Sequence, residues 1–254
     1  MNQNLEDVIL DAAKAIKNAS HVIAFTGAGI SKESGIPTFR GDEESVWNRY
    51  DPEDLELNTF LSNPQKSWPS IKTCFYDFIA EHDIKPNKAH RVLAHLEAQG
   101  ILKAVITQNI DGLHQAAGSQ NVFEFHGTLR TLSCLKCKKQ FAANQVDLSP
   151  LVPTCPDCGG NLKPDFVFFG EGIPESAYTG SVEHASKADL CIVVGTSGSV
   201  MPAGMIPIMV SRHGGKVIEI NPQKSDLTDL FSNIYIPLGA VDAFTAIEQA
   251  LNKM

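Results

Sequence analysis

Short apolar runs alternate with helical patterns along most of the 254-residue chain. Such alternation is typical of a parallel sheet that is covered by helices on both faces. We therefore expect an α/β fold, a Rossmann-like, doubly wound parallel sheet. The runs that predict buried strands are His21–Phe25, Lys103–Thr107, Leu190–Val194 and Lys216–Ile220, with Ile234–Pro237 as a weaker candidate. An amphipathic helix precedes the first strand, and further helical patterns cover Lys88–Gln99, Pro174–Lys187, Met201–Arg212 and Val241–Leu251.

Two stretches break the alternation. Residues 41–86 are polar and mostly helical or irregular in pattern, and residues 129–164 contain four paired cysteines. We predict that residues 1–40, 87–128 and 165–254 form one core. The helical insertion 41–86 and the cysteine-bearing insertion 129–164 are then expected to form a smaller second domain together.

The cysteine pairs are Cys134-x2-Cys137 and, after seventeen residues, Cys155-x2-Cys158. Two such knuckles supply four thiolates for one tetrahedral zinc ion. Because four protein ligands leave no position for water, the predicted zinc is structural and not catalytic. In a reducing compartment, metal binding is favoured over disulfides.

The charge and hydropathy pattern narrows the class of partner. The net charge is −8 and the pI is about 5.5, which argues against a nucleic-acid or anionic membrane surface as the main partner. No window approaches the ~18 apolar residues of a membrane span, and the N-terminal pattern lacks the features of a signal peptide. We expect a soluble, cytoplasmic protein that binds neither membranes nor, in its main role, nucleic acid.

A glycine-rich turn follows the first strand, at Gly27, Ala28 and Gly29. Glycines after a strand let the backbone approach a pyrophosphate, whose charge is met by N–H groups at a helix start. The usual dinucleotide fingerprint is incomplete, because Lys32 stands where the third glycine belongs. A glycine turn alone is purely structural about as often as it binds a phosphate. The run Gly35–Arg40 that follows adds an aromatic ring and a guanidinium beside the predicted phosphate site.

Polar residues also follow other predicted strands. Gln108, Asn109 and Asp111 could bind a ribose and a carboxamide, although an Asn–Asp turn that caps the next helix explains them equally well. His126 is a candidate base, since its ordinary pKa suits proton transfer near neutral pH; any one of the eight histidines is more often a surface or core residue. Further candidate site residues follow later predicted strands or lie in an aromatic run. They are Gly195, Thr196, Ser197, Asn221, Val167, Phe169, Gly170 and Glu171.

Taken in order, these strings resemble the sirtuins, the NAD-dependent protein-lysine deacylases. The resemblance runs from about Val22 to Asn221 and is to a minimal, prokaryotic-type form, with residues 1–254 as a single catalytic unit. It implies that NAD lies between the core and the small domain. The implied NAD-binding residues are Gly27, Ala28, Gly29, Thr38, Phe39, Arg40, Gln108, Asn109, Ile110 (through its backbone), Asp111, Gly195, Thr196, Ser197, Asn221 and Ala240.

The resemblance also implies the chemistry. The acyl oxygen attacks the anomeric carbon as nicotinamide leaves, and His126 then acts as general base on a ribose hydroxyl, with Asn109 as the second catalytic residue. The products are free lysine, nicotinamide and an O-acyl-ADP-ribose. The partners are acyl-lysine proteins or peptides, whose backbone is expected to add as a strand. The implied substrate-binding residues are Phe39, Val167, Phe169, Gly170, Glu171, Ser199 and Val200.

Two departures from the family pattern bear on substrate binding. Gly198 stands where sirtuins usually have leucine, which removes an apolar contact and is expected to loosen the peptide-pairing segment. Sirtuins that prefer succinyl-lysine carry a tyrosine and, three residues later, an arginine in the loop that corresponds to the one after Arg40. Alignment on the next tryptophan places Val46 and Arg49 of this chain at those two positions. The match around Ala240 is weak.

Three rival functions are an NAD-linked dehydrogenase, a protein ADP-ribosyltransferase that uses the same NAD site, and a zinc-ribbon nucleic-acid binder. The incomplete glycine fingerprint and the His126–Gly127 pair count against the first. The acidic net charge disfavours the third.

Overall fold

The structure is a computed structural model that describes residues 3–38 and 51–254. Predictions that involve Phe39, Arg40, Val46 or Arg49 therefore lie outside the described residues. The strands are β1 (Val22–Thr26), β2 (Leu102–Thr107), β3 (Val122–Glu124), β4 (Gly127–Cys134), β5 (Gln140–Ala142), β6 (Leu162–Phe166), β7 (Leu190–Val194), β8 (Lys216–Ile220) and β9 (Ile234–Ile236). The α-helices are α1 (Gln3–Asn18), α2 (Leu57–Ser62), α3 (Pro64–Ile71), α4 (Phe78–Glu81), α5 (Lys88–Ala98), α6 (Leu113–Ala116), α7 (Glu175–Lys187), α8 (Met205–Arg212) and α9 (Ala240–Leu251).

The larger sheet confirms the predicted fold class. Its six strands are parallel and lie in the order β3-β2-β1-β7-β8-β9. The chain builds outward from β1 through β2 to β3, then returns to the centre at β7 and builds outward on the other side. Open α/β sheets bind their ligands at the point where the strand order reverses, outside the carboxyl ends of the strands. In this chain that point lies between β1 and β7.

Helices cover both faces of the sheet, which explains why the strands are continuously apolar. In β1, Val22 and Ala24 face one layer, where α1, α5 and α9 pack, whereas Ile23 and Phe25 face the other, where α7 and α8 pack. All four side chains are fully buried.

A second, antiparallel sheet, in the order β5-β4-β6, carries the cysteines. The helical segment after residue 51 packs on this sheet in a hydrophobic core of its own, where Phe60, Trp68 and Phe75 meet Leu132 and Phe166. The indole of Trp68 also donates to the carbonyl oxygen of Leu162 at 3.2 Å. This shared core supports the proposed division into a large core and a small domain, whose boundaries stay a prediction.

Two local predictions differ from the structure. The helix predicted to begin at Met201 begins at Met205, because residues 201–204 form turns in which Gly204 lies directly against the carbonyl of Gly198. The glycine turn after β1 leads into two short 3-10 turns, Ala28–Ile30 and Lys32–Ser34, and not into an α-helix. The turns keep this part of the chain close to the sheet edge.

Candidate active site

The glycine turn after β1 meets the turn after β7 at the reversal point of the sheet. The N–H of Gly27 donates to Val194 O at 3.0 Å, and that of Gly29 donates to Gly195 O at 2.9 Å. A Cβ atom on Gly29 would lie 2.6 Å from the Cα of Gly195, so the two backbones require glycine here. These two N–H groups join the two turns to each other.

The loop after β2 is hydrogen-bonded to this glycine turn. The buried side chain of Asn109 donates to Gly27 O and to Ser31 Oγ, both at 3.1 Å. Asp111 accepts from Ser31 Oγ at 2.7 Å and from Leu113 N at 2.9 Å. Burial raises the pKa of Asp111 above its ordinary value, against the effect of these hydrogen bonds. Asp111 thus accepts from the first residue of α6 and also lines the pocket beside the loop; its contact with a ligand stays a prediction.

His126 follows β3 and lies against the same loop. Its Nδ1 is 3.1 Å from the carbonyl oxygen of Gln108. Because a carbonyl oxygen only accepts, Nδ1 carries the proton and Nε2 of the neutral ring has a free lone pair. Burial lowers the pKa of His126, and the bond to Gln108 opposes that shift. The ring is thereby held in the tautomer that a general base requires.

Gly127 allows the two strands behind His126 to approach each other. It has a φ of 73°, and a Cβ atom there would overlap the carbonyl oxygen of Asp165. The close approach lets Val167 N donate to His126 O at 2.8 Å. Gly127 therefore positions the backbone of His126.

Gly127→Ala should destabilise the protein more than a glycine substitution at the same φ in open space. The left-handed backbone costs roughly 1–2 kcal/mol for a residue with a Cβ, and overpacking adds about 1–3 kcal/mol. Gly100→Ala is the matched control, since Gly100 has a φ of 72° and no heavy atom within 4 Å of its added Cβ. Denaturant unfolding measures both variants; equal losses would show that the Asp165 contact is not the constraint.

An apolar pocket opens between the glycine turn and the small domain. Ser31, Asn109 and Asp111 form its polar side, and residues of the helical segment form its apolar side. Three of the latter, Phe75, Phe78 and Ile79, were not found from the sequence. Their only signal is an apolar spacing of three and four residues within a stretch that reads as polar and irregular.

The residues that follow β7 and β8 lie next to the loop after β2. Gln108 Nε2 donates to Thr196 Oγ1 at 2.9 Å, and Asn221 Nδ2 donates to Thr196 O at 3.4 Å. Ser197 Oγ lies 2.8 Å from Ser199 Oγ. Ala240, the first residue of α9, has its side chain buried in the core, so only its backbone faces outward.

The aromatic run after β6 presents one face to solvent. Phe169 is 51% exposed and Val200, on the opposite segment, is 42% exposed. Glu171 does not point outward: its carboxylate accepts from Phe168 N at 2.9 Å and lies 3.0 Å from Lys163 Nζ. The Glu171 carboxylate is thus bonded within its own segment, and its predicted contact with substrate stays a prediction.

Gly198 itself is buried, although Ser197, Ser199 and Val200 beside it are exposed. A Cβ atom on Gly198 would lie 2.6 Å from Cδ1 of Leu227, a buried residue of the loop after β8. The apolar contact that the missing leucine would make is thus supplied from the other side by Leu227. The expectation that Gly198 loosens the segment finds no support in this packing.

The four cysteines meet in the small domain. Their sulfur atoms all lie within 4.8 Å of one another, with 3.5 Å between Cys134 and Cys158 and 3.7 Å between Cys137 and Cys155. Zn–S bonds of about 2.3 Å in a tetrahedron place sulfurs about 3.8 Å apart. The cluster fits a structural zinc ion with a complete thiolate set.

Hydrogen bonds near the carboxyl ends of the parallel strands join a subset of the predicted residues, namely Gly27, Gly29, Gln108, Asn109, Asp111, His126, Gly195, Thr196 and Asn221. Thr38 is the last described residue before the gap, and Phe39 and Arg40 lie beyond it. Among the helices of the described residues, none has the length and apolar character needed to cross a bilayer.

Comparison with known proteins identifies the family. The Sir2 family sequence profile matches residues 27–202. The chain is 42% identical to NAD-dependent protein deacylase 1 of Archaeoglobus fulgidus, over 85% of this chain and 87% of that protein. It is 40% identical to the NAD-dependent protein deacylase of Aeropyrum pernix, over 96% and 98%.

Solved structures agree with the sequence comparison. The fold superposes on a structure described as Sir2-p53 peptide-NAD+ with a TM-score of 0.86 and 33% identity, over 96% of this chain and 98% of that one. The family profile, the relatives and the fold agree, and the chain is a member of the Sir2 family.

Proposed function

We propose that this protein removes acyl groups, acetyl first, from lysine side chains of proteins and consumes NAD in doing so. The observation that carries the proposal is His126, a half-buried base with a fixed tautomer beside the loop after β2, at the carboxyl edge of the parallel sheet. The relatives named as NAD-dependent protein deacylases, and the relative that binds p53 peptide and NAD+, support it.

The NAD site is proposed at the paired turns. The bare backbone of Gly27, Ala28 and Gly29 leaves room for the pyrophosphate, and the adenosine half extends toward Thr196 and Asn221. Gly195, Ser197 and the backbone of Ala240 complete that half. Gln108 and Asn109, whose amides already bond to neighbouring turns, orient the nicotinamide ribose. Thr38, Phe39 and Arg40 are proposed to cover it.

The nicotinamide carboxamide is proposed to bind in the apolar pocket. Asp111 has one hydrogen bond on each carboxylate oxygen, and each oxygen keeps a further acceptor position for an amide N–H. The backbone of Ile110 provides a second contact. Phe75, Phe78 and Ile79 exclude water from that side, which favours transfer to the acyl oxygen over hydrolysis.

His126 is proposed to move one proton. NAD supplies a ribose carbon that accepts the acyl oxygen as nicotinamide leaves, together with a neighbouring hydroxyl. The free Nε2 of His126 accepts the proton of that hydroxyl, while Nδ1 stays bonded to Gln108 and fixes the ring plane. The hydroxyl oxygen then attacks the acyl carbon, the bond from that carbon to the lysine nitrogen breaks, the amine leaves with a proton, and a water molecule completes the O-acyl-ADP-ribose.

The substrate peptide is proposed to lie between two segments. One runs from Val167 through Phe169 to Gly170 and Glu171, and the other holds Ser199 and Val200. An extended peptide between them forms main-chain hydrogen bonds, with the acyl-lysine side chain directed past Phe169 toward His126. The acidic net charge makes nucleic acid an unsuitable partner, and the four reduced thiols suit the cytoplasm.

The acyl preference is a further prediction. Acetyl-lysine peptides should have a higher kcat/KM than matched succinyl-lysine peptides, because Val167, Phe169 and Val200 are apolar and Val46 has no hydrogen-bond donor. A succinyl carboxylate would then have Arg49 as its one partner and be poorly compensated. Val46 and Arg49 lie outside the described residues. Kinetics on peptides that differ only in the acyl group decide the question, and faster turnover of succinyl-lysine contradicts it.

One experiment tests the proposed function. Purified protein is incubated with NAD and an acetyl-lysine peptide, and the products are identified by mass. Deacylation predicts free lysine peptide, nicotinamide and an O-acetyl-ADP-ribose in equal amounts. Peptide or protein that carries ADP-ribose, or formation of NADH, would instead identify a transferase or a dehydrogenase.

A further inference from the structure

A buried lysine connects the cysteine-bearing sheet to the segment proposed to bind substrate. Lys163, on β6, is 8% exposed. Its ammonium donates to the carbonyl oxygens of Pro164 at 2.9 Å and Phe166 at 3.2 Å and lies 3.0 Å from the Glu171 carboxylate. It also lies 4.6 Å from the centre of the Phe168 ring. All three protons of the ammonium therefore have acceptors, as a buried charge requires.

These contacts close the chain into a compact loop. Lys163 holds the beginning of the segment through Phe166 and its end through Glu171. Glu171 itself accepts from Phe168 N in the middle. All of these bonds lie within residues 163–171, so the ammonium holds this stretch of chain in one conformation.

The conformation of this segment decides which side chains face the proposed substrate. Side chains alternate along an extended segment. Phe166 and Phe168 are buried and stack with ring centres 4.5 Å apart, whereas Phe169 is exposed. Val167 N bonds to the carbonyl of His126, so the segment also borders the proposed base.

We propose that Lys163 is a positioning residue for the acyl-lysine peptide. It is proposed to touch neither peptide nor NAD; its ammonium holds residues 166–171 in one conformation and so places Val167 and Phe169. The inference rests on the proposed deacylation. The proposal thereby assigns a function to the Lys163–Glu171 ion pair, which lies on the face of the segment opposite the proposed substrate.

The test compares two lysine substitutions in the small domain. Lys163→Met removes the buried pair, and Lys139→Met removes an exposed pair, in which Lys139 Nζ lies 2.6 Å from Asp157. For Lys163→Met we expect at least a tenfold rise in KM for the peptide, with kcat and the Kd for NAD within threefold of the unmodified protein. Lys139→Met should leave all three values unchanged. Lys163→Arg, which keeps the charge and the donors, should give a smaller rise in KM.

A purely structural role gives a different pattern. Wild-type peptide KM in folded Lys163→Met overturns the proposal, as does a parallel loss of NAD affinity. If Lys163→Met fails to fold, Glu171→Gln replaces it: the amide keeps a hydrogen-bond acceptor but removes the opposite charge. Its peptide KM should rise while NAD binding is retained, and an unchanged KM again overturns the proposal. If the unmodified protein releases no lysine, it is the proposed function that fails.

Discussion

His126→Ala is expected to lower kcat/KM for deacylation by about 10²–10⁴-fold, the usual contribution of a positioned general base. The substitution removes Nε2 but no contact to the glycine turns, since the ring's described hydrogen bond is to Gln108 O. NAD affinity and the unfolding midpoint should therefore stay close to those of the unmodified protein. Steady-state kinetics with an acetyl-lysine peptide, NAD titration and thermal unfolding measure the three quantities.

Replacement of the exposed His213 by Ala is the control and should change none of them. The pH profile gives a second check. Because burial holds the pKa of His126 below the ordinary 6.5, the neutral base persists at pH 6.5, and kcat/KM should fall only as the pH drops through that lowered pKa. If the His126→Ala variant keeps near-full turnover, His126 is not part of the mechanism. The same conclusion follows if the variant unfolds, because His126 then has a scaffolding role.

Loss of zinc is expected to have the largest effect on stability. Replacement of any one of Cys134, Cys137, Cys155 and Cys158 by Ser should reduce the metal content from about one zinc per chain to near zero. Structural zinc contributes roughly 10–16 kcal/mol of apparent binding free energy in zinc-finger peptides, and that energy is coupled to folding. The small domain should unfold first, because its hydrophobic core is separate from the two cores of the large sheet.

Cys191→Ala is the matched control, because Cys191 is buried in β7 and is remote in the fold from the four-cysteine cluster. It should keep its zinc even if it loses some stability. Metal analysis together with thermal unfolding separates the two effects. Metal-free protein that remains folded and fully active would show that the zinc is dispensable.

Most of the large sheet could be predicted from local pattern. A strand buried on both faces is almost continuously apolar, and β1 and β7 are of that kind. The polar residues at their carboxyl ends follow from the same pattern, since parallel strands end at one edge. The cysteine spacing predicted the metal cluster directly, and the strands and helices agreed with the structure to within a few residues.

The missed features depend on contacts between distant parts of the chain. Phe75 lines the pocket only because the helical segment packs on the cysteine-bearing sheet, and no local pattern encodes that packing. Leu227 fills the space at Gly198 from a different loop. Lys163 reads as a surface lysine in sequence, yet three carbonyl or carboxylate groups surround it. Each is a pairing that local sequence does not specify.

The strand order also determines when, during synthesis, β1 can pair with both of its neighbouring strands. β1 lies between β2 and β7, and the segment between β1 and β7 is roughly 170 residues, which takes about 8 to 34 s to synthesise at ~5–20 residues per second. During that time the β7 side of Val22–Thr26 has no strand to pair with. An unpaired apolar edge is the feature that promotes wrong association. The central strand of the nucleotide-binding sheet is thus the first to be made and among the last to be enclosed, and the nascent chain must be kept from aggregating until β7 emerges.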